Sequence, residues 1–372
     1  MRRFFTAACA TTFGITLSTA FAVAGSASAA TTHQARPAAA IIVVSPGQSI
    51  QAAVNHAHPG DTVLLKPGVY HQSVQIRTDG ITLRGSGNSR HGTVLKPPAR
   101  KPHTLCTGAF GVTGVCILAK KVNMQSGAVL KAVRHDTVTG MYVTGFPANG
   151  VFGYGTNGLT VTNVSAVNDG DYGISRFEST RTLFAGDTAV GNHEAGFYVG
   201  DSPDADTVVR DNVSIGNQFG IFVRHARGVA VFHNLAIKNC EGILVLDDGQ
   251  KGGAGNAAIF RNVAIGNNKF CAKSDDTPVN VKGGGILLLG ATRTLVAHNA
   301  VSGNTGRQFN SGGIVVLSAS TISHGSNPNH DTIVANHAFR NRPADLIWDG
   351  TGVGVHFVAN HCGTSQPAGL CH

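Results

Sequence analysis

Pairs of asparagines five residues apart, each followed by a glycine and an aliphatic run, recur along this chain and constrain its fold more than any other feature. Asn163 and Asn168 precede Gly173-Ile174, and Asp187 with Asn192 precedes Gly196-Phe197. Asn212 and Asn217 lead to Gly220-Ile221, and Asn234 and Asn239 to Gly242-Ile243. Asn262 and Asn267 lead, after an insertion, to Gly285-Ile286, and Asn299 and Asn304 to Gly313-Ile314. Asn336 and Asn341 lead to Leu346-Ile347, where the glycine is lost. Each repeat holds three short β-type segments, clearest at Thr207–Arg210, Val213–Ile215 and 221–223. The next repeat offers Val229–Phe232, Leu235–Ile237 and 243–245. A unit of roughly two dozen residues cannot bury an apolar face alone, but stacked units share one continuous core. The pattern predicts an all-β chain folded as a right-handed, single-stranded parallel β-helix. Asparagine suits such a coil because it tolerates the left-handed backbone region and its amide can bond to the same amide one rung away.

Composition agrees. The 372 residues include 48 glycines, with Val, Ile, Asn and Thr abundant and the helix formers Glu and Met scarce. Residues 1–29 read as a signal peptide: Arg2 and Arg3, an apolar stretch from Phe4 to Val23, and a small-residue cleavage pattern at Ser26-Ala27-Ser28-Ala29. Residues 30–40 read as a flexible linker and 41–372 as the β-helix domain, with an N-terminal cap over 41–76 and a C-terminal cap over 345–372. No later stretch is apolar for long enough to cross a bilayer, so a secreted monomer is expected. Six cysteines remain once Cys9 leaves with the signal, an even count that points to disulfides. Fifteen pairings are open; sequential pairing, Cys106 with Cys116, Cys240 with Cys271 and Cys362 with Cys371, is the preferred one. No Cys-x-x-Cys or His-Glu-x-x-His occurs, so nothing argues for zinc.

Charge is unevenly placed. Between Arg77 and Arg134 there are ten Lys or Arg and one acid, Asp79, whereas Asp169 to Asp211 holds nine acids against Arg176, Arg181 and Arg210. A basic end of this kind attracts anionic polymers, polyuronate or nucleic acid, or simply keeps a surface solvated. For an exported chain a polysaccharide, acidic in part, is the expected partner and nucleic acid is not.

Ile50, Ala53, Val54 and Ala57 have helical spacing behind Ser49, a suitable N-cap, and predict a short helix closing the first coil. The stretch from Ile42-Val43-Val44-Ser45-Pro46-Gly47-Gln48-Ser49 through Pro59-Gly60-Asp61 and Pro67-Gly68-Val69-Tyr70 resembles the opening of the pectate-lyase-like β-helix superfamily. The asparagine rungs are similar to that superfamily's right-handed β-helix repeat group, which includes carbohydrate-binding and sugar-hydrolase domains. The resemblance spans about residues 41–362 and implies fold rather than activity, because its members include polysaccharide lyases, uronate epimerases, glycosidases and proteins without known chemistry. Asp201-Ser202-Pro203-Asp204 lacks the histidine of the epimerases' Asp-Pro-His-Asp motif. No lyase-type catalytic arginine motif is present, and Asp247-Asp248 only echoes the paired aspartates of polygalacturonase-type hydrolases.

Stacking the repeats on the glycine that opens the third strand places Glu178, Asp201, His225 and Asp247 in one column, with Gly290 and Ser318 beyond. Neighbouring rungs of a parallel coil lie about 4.8 Å apart. Adjacent carboxylates that close call for a cation or a shared proton. Asp201, Asp204, Asp247 and Asp248 form a candidate calcium set, with Asp206 nearby. A carboxylate–histidine group also suits acid/base work: His225 as base, Arg224 neutralising a uronate carboxylate, and Asp201, Asp247 and Glu178 in support. The competing reading makes these ordinary polar turn residues. One flaw stands in the register: it points Arg176 inward beside Val199, Val223 and Val245, so the first rung is open to a shift that would remove Glu178. Tyr198 and Phe222 fall on the outward face, exposed for stacking on sugar rings or covered by long loops over 247–256, 268–284 and 318–331. The leading expectation is a polysaccharide-processing or -binding protein: if an enzyme, a calcium-assisted uronate lyase or epimerase, or a glycoside hydrolase. A non-catalytic extracellular binding or structural protein, and an exported metal-enzyme maturation factor, are the alternatives.

Overall fold

The computed structural model describes residues 38–371 apart from residue 124; the expected signal peptide and most of the expected linker lie outside the described residues. Three strands make each turn of a right-handed parallel β-helix. Leu183–Ala185, Thr188–Val190 and Ala195–Ser202 form one turn, and Thr207–Arg210, Val213–Ile215 and Phe219–Ala226 the next. Each face pairs in parallel with the same face of its neighbour, as in Val209 with Val231, Ser214 with Ala236 and Ile221 with Ile243. Among the described residues the third face carries eleven strands, one per turn.

Alternation along each strand sends one set of side chains inward. Phe184, Val209, Val231, Ile259, Val296 and Ile333 pair in register down the first face, and all are fully buried. Burying each such side chain stabilises the coil by about 1.5–3 kcal/mol.

Two buried ladders run beside this core. In the first, the backbone N–H of Asp187 donates to Asn212 Oδ1 and that of Asn212 to Asn234 Oδ1; Asn262, Asn299, Asn336 and Asn360 continue it. The second runs Asp169, Asn192, Asn217, Asn239, Asn267, Asn304 and Asn341, ending on Asp345. Asn163 and Asn168 belong to neither ladder, which corrects the first repeat by one residue. They are exposed, with φ of 52° and 55°, and sit just before the ladder-register residues Val164 and Asp169. Other rungs place Gly186, Asp211 and His233, or Gly191, Gly216 and Lys238, at those left-handed positions. Asparagine thus serves two purposes here: a left-handed bend in one rung, and a buried amide in the others.

The glycine column follows from the ladder. A Cβ on Gly220 would lie 2.3 Å from Gly242 O and 3.0 Å from Asn239 Nδ2, and one on Gly173 would lie 2.6 Å from Asn192 Nδ2. Only a residue without a side chain leaves room for both the amide and the next rung.

At the N-terminal end, the helix Ile50–His56 begins at Ser49, whose hydroxyl accepts from the Ala52 N–H at 3.1 Å. Ile50 and Val54 pack into the core there. Disulfides join Cys106 to Cys116, Cys240 to Cys271 and Cys362 to Cys371, the sequential pairing. Among the described residues no helix is long and apolar enough to cross a membrane.

The suspect rung is not shifted. Arg176 pairs with Val199, points into the coil and is fully buried. Its guanidinium donates to Ala205 O (3.2 Å), Thr207 Oγ1 (2.6 Å) and Ser202 Oγ, so its charge is dispersed into turn oxygens rather than met by a carboxylate. Burial pushes the guanidinium down to about 9, which keeps it protonated at neutral pH.

Candidate functional site at a corner of the coil

Because Arg176 holds the register, the predicted column forms. Phe177 pairs with Gly200, Gly200 with Arg224 and Arg224 with Leu246, which sets Glu178, Asp201, His225 and Asp247 on successive rungs. Glu178, Asp201 and His225 have φ of 47°, 51° and 48°, and Gly290 continues the bend at 66°. This left-handed bend is architectural, since His233, Arg261 and Ala335 adopt it at another corner.

The chemistry differs from the expectation in three respects. His225 is only 2% exposed; its Nδ1 lies 2.8 Å from Asp201 Oδ1 and its Nε2 against Asp248 Oδ1. Both ring nitrogens are therefore engaged, and His225 is not an open base. Arg224 is similarly committed, with Nε and Nη2 at 3.0 and 2.5 Å from Asp248 Oδ2, although its side chain keeps 30% exposure.

The proposed calcium set is dispersed. Asp201 faces His225, Asp248 faces Arg224 and His225, Asp247 is buried with Oδ1 accepting from the Gly249 N–H at 3.0 Å, and Asp204 is exposed. Among the described residues no group of three or more His, Cys, Asp or Glu side chains is arranged to hold a metal.

Tyr198 and Phe222 do point outward, but they are 1% and 4% exposed and so cannot stack on a sugar. They belong to an apolar cluster with Leu244, Cys240 and Val281, into which Val279 and Cys271 of the 268–284 loop pack. The Tyr198 ring lies along its own strand over Gly200, where a Cβ would meet its hydroxyl oxygen at 2.4 Å. Tyr154 and Phe177, both half-buried, stay partly open beside this cluster; the Phe177 and Tyr198 rings are 4.6 Å apart.

What remains accessible is a carboxyl pair. Glu178 is exposed and Asp201 keeps 36% side-chain exposure. Desolvation, and then the charge of Asp201, raises the Glu178 carboxyl above its usual 4.5. The pair is flanked by structure on both sides. Toward the N-terminus the hairpin of Lys121–Val122 and Val129–Lys131 reaches Tyr154, whose hydroxyl donates to Gly127 O at 2.6 Å. Toward the C-terminus the 247–256 loop comes down on Pro203, which a Cβ on Gly252 would meet at 2.7 Å.

A second carboxyl pair escaped the sequence reading. Asp171 and Glu194, two residues before Gly173 and Gly196, hydrogen-bond to each other, and burial raises both. They line a cavity of about 310 Å³ with His193 and Gln218, roofed by Ser274, Asp276 and Thr277. Stacking on the glycine backward as well as forward would have placed them together.

A family model described as "Right handed beta helix region" matches residues 119–256. No curated protein matches the sequence. Among solved structures, DFA-IIIase from Arthrobacter chlorophenolicus A6 in complex with GF2 superposes with a TM-score of 0.56 at 12% identity, over 82% of this chain and 78% of that one. The mannuronan C-5 epimerase AlgE6 A-module of Azotobacter vinelandii gives 0.53 at 16%, covering 84% and 88%. An alginate lyase from Paenibacillus sp. str. FPU-7 gives 0.50 at 14%, covering 88% and 99%. At these identities the likeness is one of fold.

Proposed function

We propose that this right-handed β-helix is an exported protein that processes a polysaccharide at the Glu178–Asp201 corner. Its three disulfides support folding in an oxidising compartment. The observation that carries the reading is the in-register pairing of two accessible carboxyls, one raised and one held by a histidine. Rungs about 4.8 Å apart bring such groups within range of one glycosidic bond. Glu178, protonated more readily than an ordinary glutamate, donates a proton to the leaving oxygen. Asp201, held by His225 Nδ1 at 2.8 Å, acts as the partner carboxylate. The fold neighbours named above act on carbohydrates, and this agrees with the reading.

The test is turnover of a panel of neutral and uronate polysaccharides, reading new reducing ends and unsaturated ends separately. Release that is lost in Glu178→Gln and Asp201→Asn with an unchanged melting temperature supports the proposal. Unsaturated ends without net hydrolysis would assign elimination to the same pair. Binding without release would leave the non-catalytic reading, which the internal pairing of Arg224, His225 and Asp248 favours.

A further inference from the structure

The cations of the N-terminal third are not spread evenly over the coil. Lys121 and Lys131 stand directly opposite each other in the short antiparallel hairpin, and both are exposed. Like charges facing across a strand pair destabilise it, so this pair is not explained by hairpin stability. Lys120, at the hairpin's base, is bound by Asp79 at 2.5 Å, which uses the only acid between Arg77 and Arg134. Arg134 pairs with Asn157 on the next rung, and Arg181 Nε donates to Asn157 Oδ1 at 2.9 Å from the rung after. Arg134 and Arg181 are both exposed. Arg181 also belongs to the turn that begins at Glu178. The corner is therefore bipolar along the coil axis: Lys121, Lys131 and Arg134 stand on the rungs before Glu178, Arg181 shares its turn, and Asp201, Asp204 and Asp206 follow on the next rung.

We propose that Lys121, Lys131, Arg134 and Arg181 form an anion-binding subsite for a carboxylate- or sulfate-bearing stretch of a glycan chain lying along this corner. The inference rests on the reading of Glu178 and Asp201 as a glycan site and adds the charge class of the residues on one side of it. A uniformly charged polyanion such as duplex DNA would have to run its charges over the acidic rungs, where like charges repel. A glycan fits better if its charged residues seat on the cation strip while the residue over Glu178 and Asp201 carries no free charge.

Retention on immobilised polygalacturonate, alginate and heparin, eluted with a salt gradient, tests this. The unmodified protein should bind at least one of the three. Lys121→Gln/Lys131→Gln should weaken binding about tenfold at low salt, and Arg134→Gln/Arg181→Gln comparably, with a shallower salt dependence in each. Lys96→Gln, on a different face beside His71, should change it little. No retention of the unmodified protein on any of the three, an equal loss in Lys96→Gln, or tighter binding to duplex DNA would each overturn the subsite. A protein that is retained but turns over no glycan refutes only the catalytic reading.

Discussion

Asp201 Oδ1 lies 2.8 Å from His225 Nδ1, one rung away across the parallel sheet, while the other ring nitrogen faces Asp248. The imidazole ties two rungs and the 247–256 loop together. Removing it leaves one buried carboxylate oxygen, Asp248 Oδ1, without the imidazole it faces. His225→Ala should therefore lower stability by about 2–4 kcal/mol in denaturant titrations. Any activity should fall because Asp201 loses its orientation. Unchanged stability would mean that the ring is not the clamp described.

Asp187 and Asp169 occupy ladder positions that other rungs give to asparagine. Each accepts a backbone N–H through Oδ1, from Val164 at 2.8 Å and from Phe146 at 2.9 Å, while Oδ2 is buried without a partner. Burial raises both carboxyls well above 3.8, so the folded state holds a proton that the unfolded chain releases near 4. Stability should then be full at acid pH and decline as pH rises above about 4 toward neutrality. Asp187→Asn should raise the melting temperature at pH 7 and flatten that dependence, by on the order of 1–3 kcal/mol. A lower melting temperature at pH 7 would argue against a neutral Asp187.

Asn239 and Asn163 look alike in the repeat but do different work. Asn239 Oδ1 accepts from the Asn217 N–H at 2.9 Å, and its Nδ2 donates to Ser214 O at 3.2 Å. Asn239→Ala should cost about 2–4 kcal/mol by leaving both buried groups unpaired. Asn163→Gly, at an exposed left-handed position, should be within about 0.5 kcal/mol of neutral. Equal effects, measured by thermal unfolding, would contradict the two roles.

The Cys240–Cys271 bond, across a sequence separation of 31, ties the 268–284 loop that roofs Tyr198 and Phe222 to the coil. Replacing both cysteines with serine should cost about 2–4 kcal/mol. It should also increase binding of a hydrophobic dye as the aromatic cluster opens. Dye binding that stays flat while stability falls would mean that the loop remains docked without its bond.

Much of the corner was legible in advance because a parallel coil converts sequence spacing into spatial register. Counting five residues from each glycine placed Glu178, Asp201, His225 and Asp247 correctly, since every rung repeats the same strand geometry. The first repeat misled by one residue because its asparagines fill the left-handed positions, for which the same residue type is also favoured. Arg176 looked like a register error because an inward arginine is costly. Oxygens on residues 200–207, only gathered by the folded turn, make it tolerable.

The sequence by itself determined the coil, its register, the disulfide partners it favoured and the column of polar residues at one corner. These follow from local periodicity, which every rung states again. Tertiary structure alone decided which of those residues are open to a ligand. The 247–256 loop brings Asp248 onto Arg224 and His225, and the 268–284 loop covers Tyr198 and Phe222. Both loops are insertions outside the repeat, so their landing places depend on packing against distant rungs and not on spacing along the chain.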